Sequence, residues 1–283
     1  MVQIENVSFG YPSKPQLFED LSVSLPMGNI YGLLGKNGAG KSSLLKLIAG
    51  LLFPKTGSLH VSGFSPRERR PEFLSEIYLV TEEFEVSAMG MKRFVELYSP
   101  FYPRFNHELL QEYLNEFSLP TDEKLTSLSY GQKKKFLLSF GLATDCQLLI
   151  LDEPTNGLDI PSKSQFRKVV ASAIHEERSF IVSTHQARDM ENLIDPIIIL
   201  DEGQIVFFED YEQISQRLII SKVKELPTHD GVVYTESTFS GHTIVEENTS
   251  GAESNMNLET LFNAVVNNKE KVQEIFKNQT ITR

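Results

Sequence analysis

Residues 35–43 read GKNGAGKSS, set between the apolar run Ile30–Leu34 and the helically spaced Leu44, Leu45, Leu47 and Ile48. A strand that feeds a glycine-rich turn and then opens a helix aims several backbone N–H groups and a helix N-terminus at one spot, where an anion belongs. Few folds place a strand, a turn and a helix in that relation, so the stretch constrains architecture and chemistry together. Gly35, Gly38 and Gly40 leave room for phosphate oxygens beside the backbone of Lys36, Asn37 and Ala39. Lys41 is spaced to reach the β and γ phosphates of a nucleotide, and the Ser42 hydroxyl is placed to ligate Mg²⁺.

The 283 residues, 40% of them hydrophobic, suffice for one large domain with an appendage or for two modest domains. Cys146 is the sole cysteine, which rules out an intrachain disulfide, suits a reducing compartment and reads as core filler beside a strand. The N-terminus MVQIENVSFGYP has no basic region followed by an apolar core, and no run of 18 apolar residues occurs. By this reading the chain does not cross a membrane by itself. A formal charge of −11 argues against a nucleic-acid footprint, and Lys133-Lys134-Lys135 reads as the wet side of a helix.

Short strands are expected at Val2–Phe9, Leu17–Leu25 and Ile30–Leu34, a helix from the glycine-rich loop to about Gly50, and further strands at Gly57–Val61 and Glu76–Val80. Met89–Tyr98 and Asn106–Phe117 carry helical spacing, giving a helical insert over about 84–142. Strands and helices then alternate: QLLILDE, Ser162–Ile174, SFIVSTH, Ala187–Ile194 and PIIIL. Strands that are apolar at consecutive positions belong to a mostly parallel sheet covered on both faces, so the core is α/β. Past residue 212 the texture changes to two alternating strands (GVVYTESTF, HTIVEE), a loop (ENTSGAESN) and a helix (LETLFNAVV), predicting a small α+β appendage over 213–283 after a domain spanning 1–212.

Leu148–Glu153 ends an apolar strand with two acids, at the carboxyl edge where open α/β sheets bind ligands. Asp152 is positioned to hold Mg²⁺ through water and Glu153 to polarise a water for in-line attack on a γ phosphate. LSYGQ, residues 128–132, reads on its own as a helix cap with Ser129 accepting backbone N–H groups.

Taken in order, GKNGAGKSS, LSYGQ, LLILDEPTNGLD and STH resemble the ATP-binding subunits of ABC transporters over roughly residues 1–210. The resemblance implies a P-loop NTPase core with an N-terminal antiparallel β subdomain and an inserted helical subdomain. It also implies ATP and Mg²⁺ as ligands, and a head-to-tail dimer that sandwiches ATP between the phosphate loop of one subunit and the LSxGQ motif of the other. Tyr11 then matches the aromatic that stacks on adenine, Gly35–Ser43 the phosphate loop, and Ser129, Gly131 and Gln132 the signature that caps the partner's nucleotide. Glu153 matches the catalytic base, His185 a contact to the γ phosphate, and Asp159 the loop linking the two sites.

Two positions depart from the family pattern. Glu82 stands where a Gln usually touches Mg²⁺ and senses the membrane partner; its oxygens can still serve the metal, with an added negative charge near the triphosphate. Tyr130 replaces a small residue of the signature. The resemblance further implies a separate membrane-spanning permease, docked beside the helical insert, and a place on the cytoplasmic face of the cell membrane. Phe84, Met89, Met91, Phe94, Tyr98, Phe101, Tyr102 and Phe105 supply apolar residues there, two or three of them at an interface and the rest in the core. Glu82 and the tail LETLF are similar to the ATP-binding subunits of ABC-2-type exporters, favouring export. A soluble ABC ATPase acting on a cytosolic macromolecule is the competing expectation. Whether the second ATPase subunit is another copy of this chain stays open.

Overall fold

The computed structural model describes residues 1–227, 231–239, 241–252, 254 and 256–277. Strand β1 (Val2–Phe9) pairs antiparallel with β2 (Phe18–Leu25), and β3 (Ile30–Leu34) runs straight into the glycine-rich loop and helix α1 (Lys41–Ile48). β4 (Thr56–Val61) returns to the free side of β1, completing a three-stranded antiparallel sheet in the order β2-β1-β4. A short helix α2 (Pro71–Leu74) leads to β5 (Ile77–Val80). Each strand predicted in this half forms within a residue or so of its expected bounds.

The insert holds α3 (Met91–Tyr98), α4 (His107–Glu116) and α5 (Tyr130–Ala143). Asn106 caps α4 by accepting from the backbone N–H groups of Glu108 and Leu109. An aromatic cluster fastens the insert to the sheet: Phe140 of α5 lies 5.6 Å from Tyr78 of β5, 5.1 Å from Phe94 and 5.0 Å from Phe105. Helix and strand approach so closely that a Cβ at Gly141 would come 2.6 Å from the Tyr78 ring.

After the insert come β6 (Leu148–Asp152), α6 (Ile160–Ser172), β7 (Ser179–Thr184), β8 (Ile197–Asp201) and β9 (Gln204–Glu209). The six-stranded central sheet has the order β5-β6-β7-β3-β8-β9, with every pairing parallel except β8–β9. All residues of β3, β6, β7 and β8 are buried, as strands covered on both faces must be. Cys146 is buried at the approach to β6.

The helix expected over Ala187–Ile194 shrinks to a single 3₁₀ turn, Ala187–Met190. Asn192 takes a left-handed φ of 66°, and the Asp195 amide donates to the Ile30 carbonyl, so the backbone is drawn against β3 before a second helical turn can form.

The tail is richer than its sequence suggested. Helix α7 (Tyr211–Arg217) leads into β10 (Leu218–Val223), which pairs with β12 (Gly241–Glu247) beside β11 (Val232–Thr238) in a third sheet, all antiparallel. Helices α8 (Leu258–Asn267) and α9 (Lys269–Lys277) follow. Leu258, Leu261, Ala264 and Val265 of α8 share a buried cluster with Phe207, Ile214 and Leu218, and Lys269 pairs with the mostly buried Asp201 at 2.5 Å. Glu253 and Asn255 of the predicted loop lie outside the described residues.

Candidate functional site

The central sheet's carboxyl edge collects the chemistry. β3 delivers the glycine-rich loop, β6 delivers Asp152 and Glu153, and the neighbouring β7 delivers Ser183 and then His185. Gly40 occupies φ 109° at the N-cap of α1, a left-handed conformation that L side chains rarely adopt, and a Cβ there would strike the Phe18 ring at 2.7 Å. Glycine at this position lets the loop turn into α1 hard against Phe18.

One pocket brings together Tyr11, Asn37, Gly38, Gly40, Lys41, Ser42, Ser43, Glu82, Glu153 and His185, drawn from five separate segments of the chain. Lys41 is 6% exposed; its ammonium donates to the Gly35 carbonyl at 2.8 Å and the Lys36 carbonyl at 3.3 Å, and lies 3.5 Å from Glu153 Oε1. His185 Nδ1 is 2.8 Å from the same carboxylate oxygen. Glu153 Oε2 is buried and has no hydrogen-bond partner among the described residues, an acceptor without a donor. Ala39 is buried beneath the loop.

The backbone at Glu153 is held as firmly as its side chain. Its φ of +47° is rare for a residue with a Cβ and persists only where the surroundings enforce it. The amide donates to Ser183 Oγ at 3.1 Å, and that hydroxyl donates in turn to Asp152 Oδ1 at 2.5 Å. Ser183 thereby orients both acids of the strand end.

Tyr11 packs edge-on against Phe9 with ring centres 5.1 Å apart, and its hydroxyl lies 3.0 Å from Ser43 Oγ, which puts the ring at the mouth of the pocket. Glu82 reaches the pocket too, its Oε1 accepting from Asn156 Nδ2 at 2.9 Å. Ser42, Asp152 and Glu82 offer oxygen donors suited to Mg²⁺. Among the described residues no group of three or more His, Cys, Asp or Glu is arranged to hold a metal.

The signature residues stand outside this pocket. Ser129 and Gln132 form a reciprocal capping box at the start of α5: the Gln132 amide donates to Ser129 Oγ at 3.2 Å, and the Ser129 amide donates to Gln132 Oε1 at 2.9 Å. Gly131 permits close approach of another loop, since a Cβ there would lie 3.1 Å from the Gly157 carbonyl. Asp159 caps α6 by accepting from the Ser162 amide at 2.9 Å, and hydrogen bonds from the Ser162 hydroxyl and amide hold its carboxyl below the usual range. Tyr130 donates its hydroxyl to the Glu82 carbonyl and stacks on Phe84 at 5.1 Å.

Lys134 is a correction. Lys133 and Lys135 sit at the half-exposed surface of α5 as expected, but Lys134 is 2% exposed, and its ammonium donates to the carbonyls of Glu153 at 2.6 Å and Asn156 at 3.1 Å. Burial pulls its pKa down to about 8, against the attraction of Glu82, Glu153 and Asp152. The sequence did carry a signal: Lys134 stands four residues before Leu138 and seven before Gly141, on the face of α5 that packs inward.

Residues 18–156 match the family described as ABC transporter. The ABC transporter ATP-binding protein YtrB of Bacillus subtilis is 26% identical over 205 residues, covering 72% of this chain and 70% of that protein. The Nod factor export ATP-binding protein I of Neorhizobium galegae is 27% identical over 213 residues, covering 72% and 60% respectively. Among solved structures, a dimeric post-hydrolysis state of the ATP-binding cassette MJ0796 bound to ADP and Pi superposes with a TM-score of 0.66 at 21% identity, covering 74% of this chain and 98% of that one. That likeness is one of fold.

Proposed function

We propose, from the match of residues 18–156 to the ABC transporter family, that this chain carries an ATP-binding ATPase domain and powers a separate membrane permease, for export, as one of two ATPase subunits that close around ATP. The observation that carries the proposal is the convergence of Lys41 and His185 on one carboxylate oxygen, Glu153 Oε1, at 3.5 and 2.8 Å, at the foot of the glycine-rich loop. In this reading Tyr11 stacks on the adenine and the loop from Gly35 to Ser43 wraps the phosphates. Lys41 exchanges its carboxylate neighbour for phosphate oxygens. Glu153, oriented by His185, takes the proton of the attacking water. Ser42, Asp152 and Glu82 would hold Mg²⁺, whose positive charge would offset the negative charge of the phosphates.

Ser129 and Gly131 do not line the pocket of their own phosphate loop, which suits a role at a partner's nucleotide. Donors from a second chain at the γ phosphate add stabilisation that only a closed dimer has, so ATP closes the pair and phosphate loss releases it. Partner choice rests on a groove of about 1030 Å³ beside the insert, lined by Leu51, Leu74, Leu79, Phe84, Tyr98 and Phe101. Phe101 is 67% exposed there, whereas Met91 is buried in the core. The groove suits an apolar helix of the permease, on the cytoplasmic face of the membrane. Glu82, the LETLF helix and the export named for one relative favour export; residues 213–283 act as an accessory unit on this engine.

Phosphate release from the purified chain tests the ATPase part. Turnover per chain is expected to rise with protein concentration and to fall by about 10²- to 10⁴-fold in Glu153→Gln. Turnover per chain independent of concentration would refute the shared site.

A further inference from the structure

We infer that Lys134 is a positioning residue for Glu153, through which the signature end of α5 governs the hydrolytic carboxylate of its own chain; the inference rests on the ATPase reading above. One turn of α5 touches each loop that matters. Tyr130, at the head of that turn, donates to the Glu82 carbonyl, stacks on Phe84 and presses so closely on Gly157 that a Cβ there would lie 2.8 Å from its ring. Lys134, four residues on, lies with its ammonium 5.5 Å from the Tyr130 ring centre and grips the carbonyls of Glu153 and Asn156. The segment Glu153–Gly157 is thus clasped from one side by a single helical turn.

The choice of lysine is informative. A site needing only volume would be filled more favourably by an apolar side chain, because burying a cation costs several kcal/mol before its contacts return anything. The contacts made here are to backbone at the one residue of the strand end with a left-handed φ, Glu153. A donor on that carbonyl fixes the peptide plane from which the Glu153 side chain departs. His185 holds one carboxylate oxygen and nothing among the described residues holds the other, so the backbone sets much of the carboxylate's aim. Any shift of α5 when its capped end engages a nucleotide moves Lys134 with it, and Glu153 follows.

The test is steady-state ATP turnover and binding of a fluorescent ATP analogue by the full chain carrying Lys134→Met, Lys134→Gln or Lys134→Arg. Loss of the grip is expected to lower kcat by about 10- to 100-fold, the scale of a misplacement near 1 Å, in both Met and Gln variants. KM and analogue affinity should stay within about threefold, and Arg should recover most of kcat, because a merely structural lysine would move neither parameter selectively. A kcat in the Met and Gln variants within about twofold of the parent, or a fall in kcat matched by lost nucleotide binding and not rescued by Arg, would overturn the inference while leaving the ATPase reading intact. A parent chain without turnover would overturn the ATPase reading and this inference with it.

Discussion

Lys134 makes the stability of this protein depend on pH in an uncommon direction. Its ammonium pKa is lowered from 10.5 to about 8 by burial. Below pH 8 both folded and unfolded chains carry the charge, and the desolvation cost is fully present. Between pH 8 and 10.5 the unfolded chain binds a proton that the folded chain lacks, so stability rises with pH. A shift of this size corresponds to about 3.4 kcal/mol between its limits, of which about 1.5 kcal/mol is gained from pH 8 to 9.5. Cys146 works the other way, because burial raises its thiol pKa and the unfolded chain loses that proton first. Comparison with Lys134→Met removes this term, since both proteins share Cys146. Urea unfolding at pH 8.0 and 9.5 should show the parent gaining on the variant by roughly 0.5 M in midpoint for an m-value near 3 kcal/mol/M. A difference that stays constant between the two pH values would refute the reasoning.

Other perturbations bear on the site and its scaffold. Glu153→Gln should lower kcat by about 10²- to 10⁴-fold, the usual contribution of a general base, with analogue affinity retained; unchanged turnover would remove Glu153 from the mechanism. Glu82→Gln should keep hydrolysis within about threefold, because the amide oxygen can still accept from Asn156 Nδ2, while changing stimulation by the membrane partner; complete loss of turnover would contradict that placement. Gly141→Ala should cost about 1–3 kcal/mol in urea unfolding, because its methyl would meet Tyr78 at 2.6 Å and Leu149 at 3.1 Å; a neutral result would mean that the contact between α5 and β5 relaxes freely.

Much of this molecule could be read from its chain. The glycine-rich loop and the buried runs IYGLL, LLILD and IIILD announced a covered parallel sheet because consecutive apolar residues leave no face for water. Hidden parts were those decided by long-range contacts. LIISKV became β10 through its pairing with β12, 19–29 residues downstream, which local periodicity does not specify. The site divides in the same way. Asp152, Glu153 and His185 were legible from strand ends, whereas Ser183 inside SFIVST and Asn156 inside PTNG gave no sign of their hydrogen bonds to Asp152 and Glu82. A run of three lysines hid the buried one, since composition says nothing of helical phase.

The central claim, an ATP-driven subunit coupled to a permease, is tested most directly by tagging the Glu153→Gln chain, expected to hold ATP in a closed dimer, and identifying by mass spectrometry what co-purifies from detergent-solubilised native membranes. The account predicts a multi-spanning membrane protein in near-equal amount with the tagged chain, lost when Phe101→Glu places a charge in the apolar groove. Recovery of only ribosomes, nucleic acid or soluble proteins, unaffected by Phe101→Glu, would contradict it.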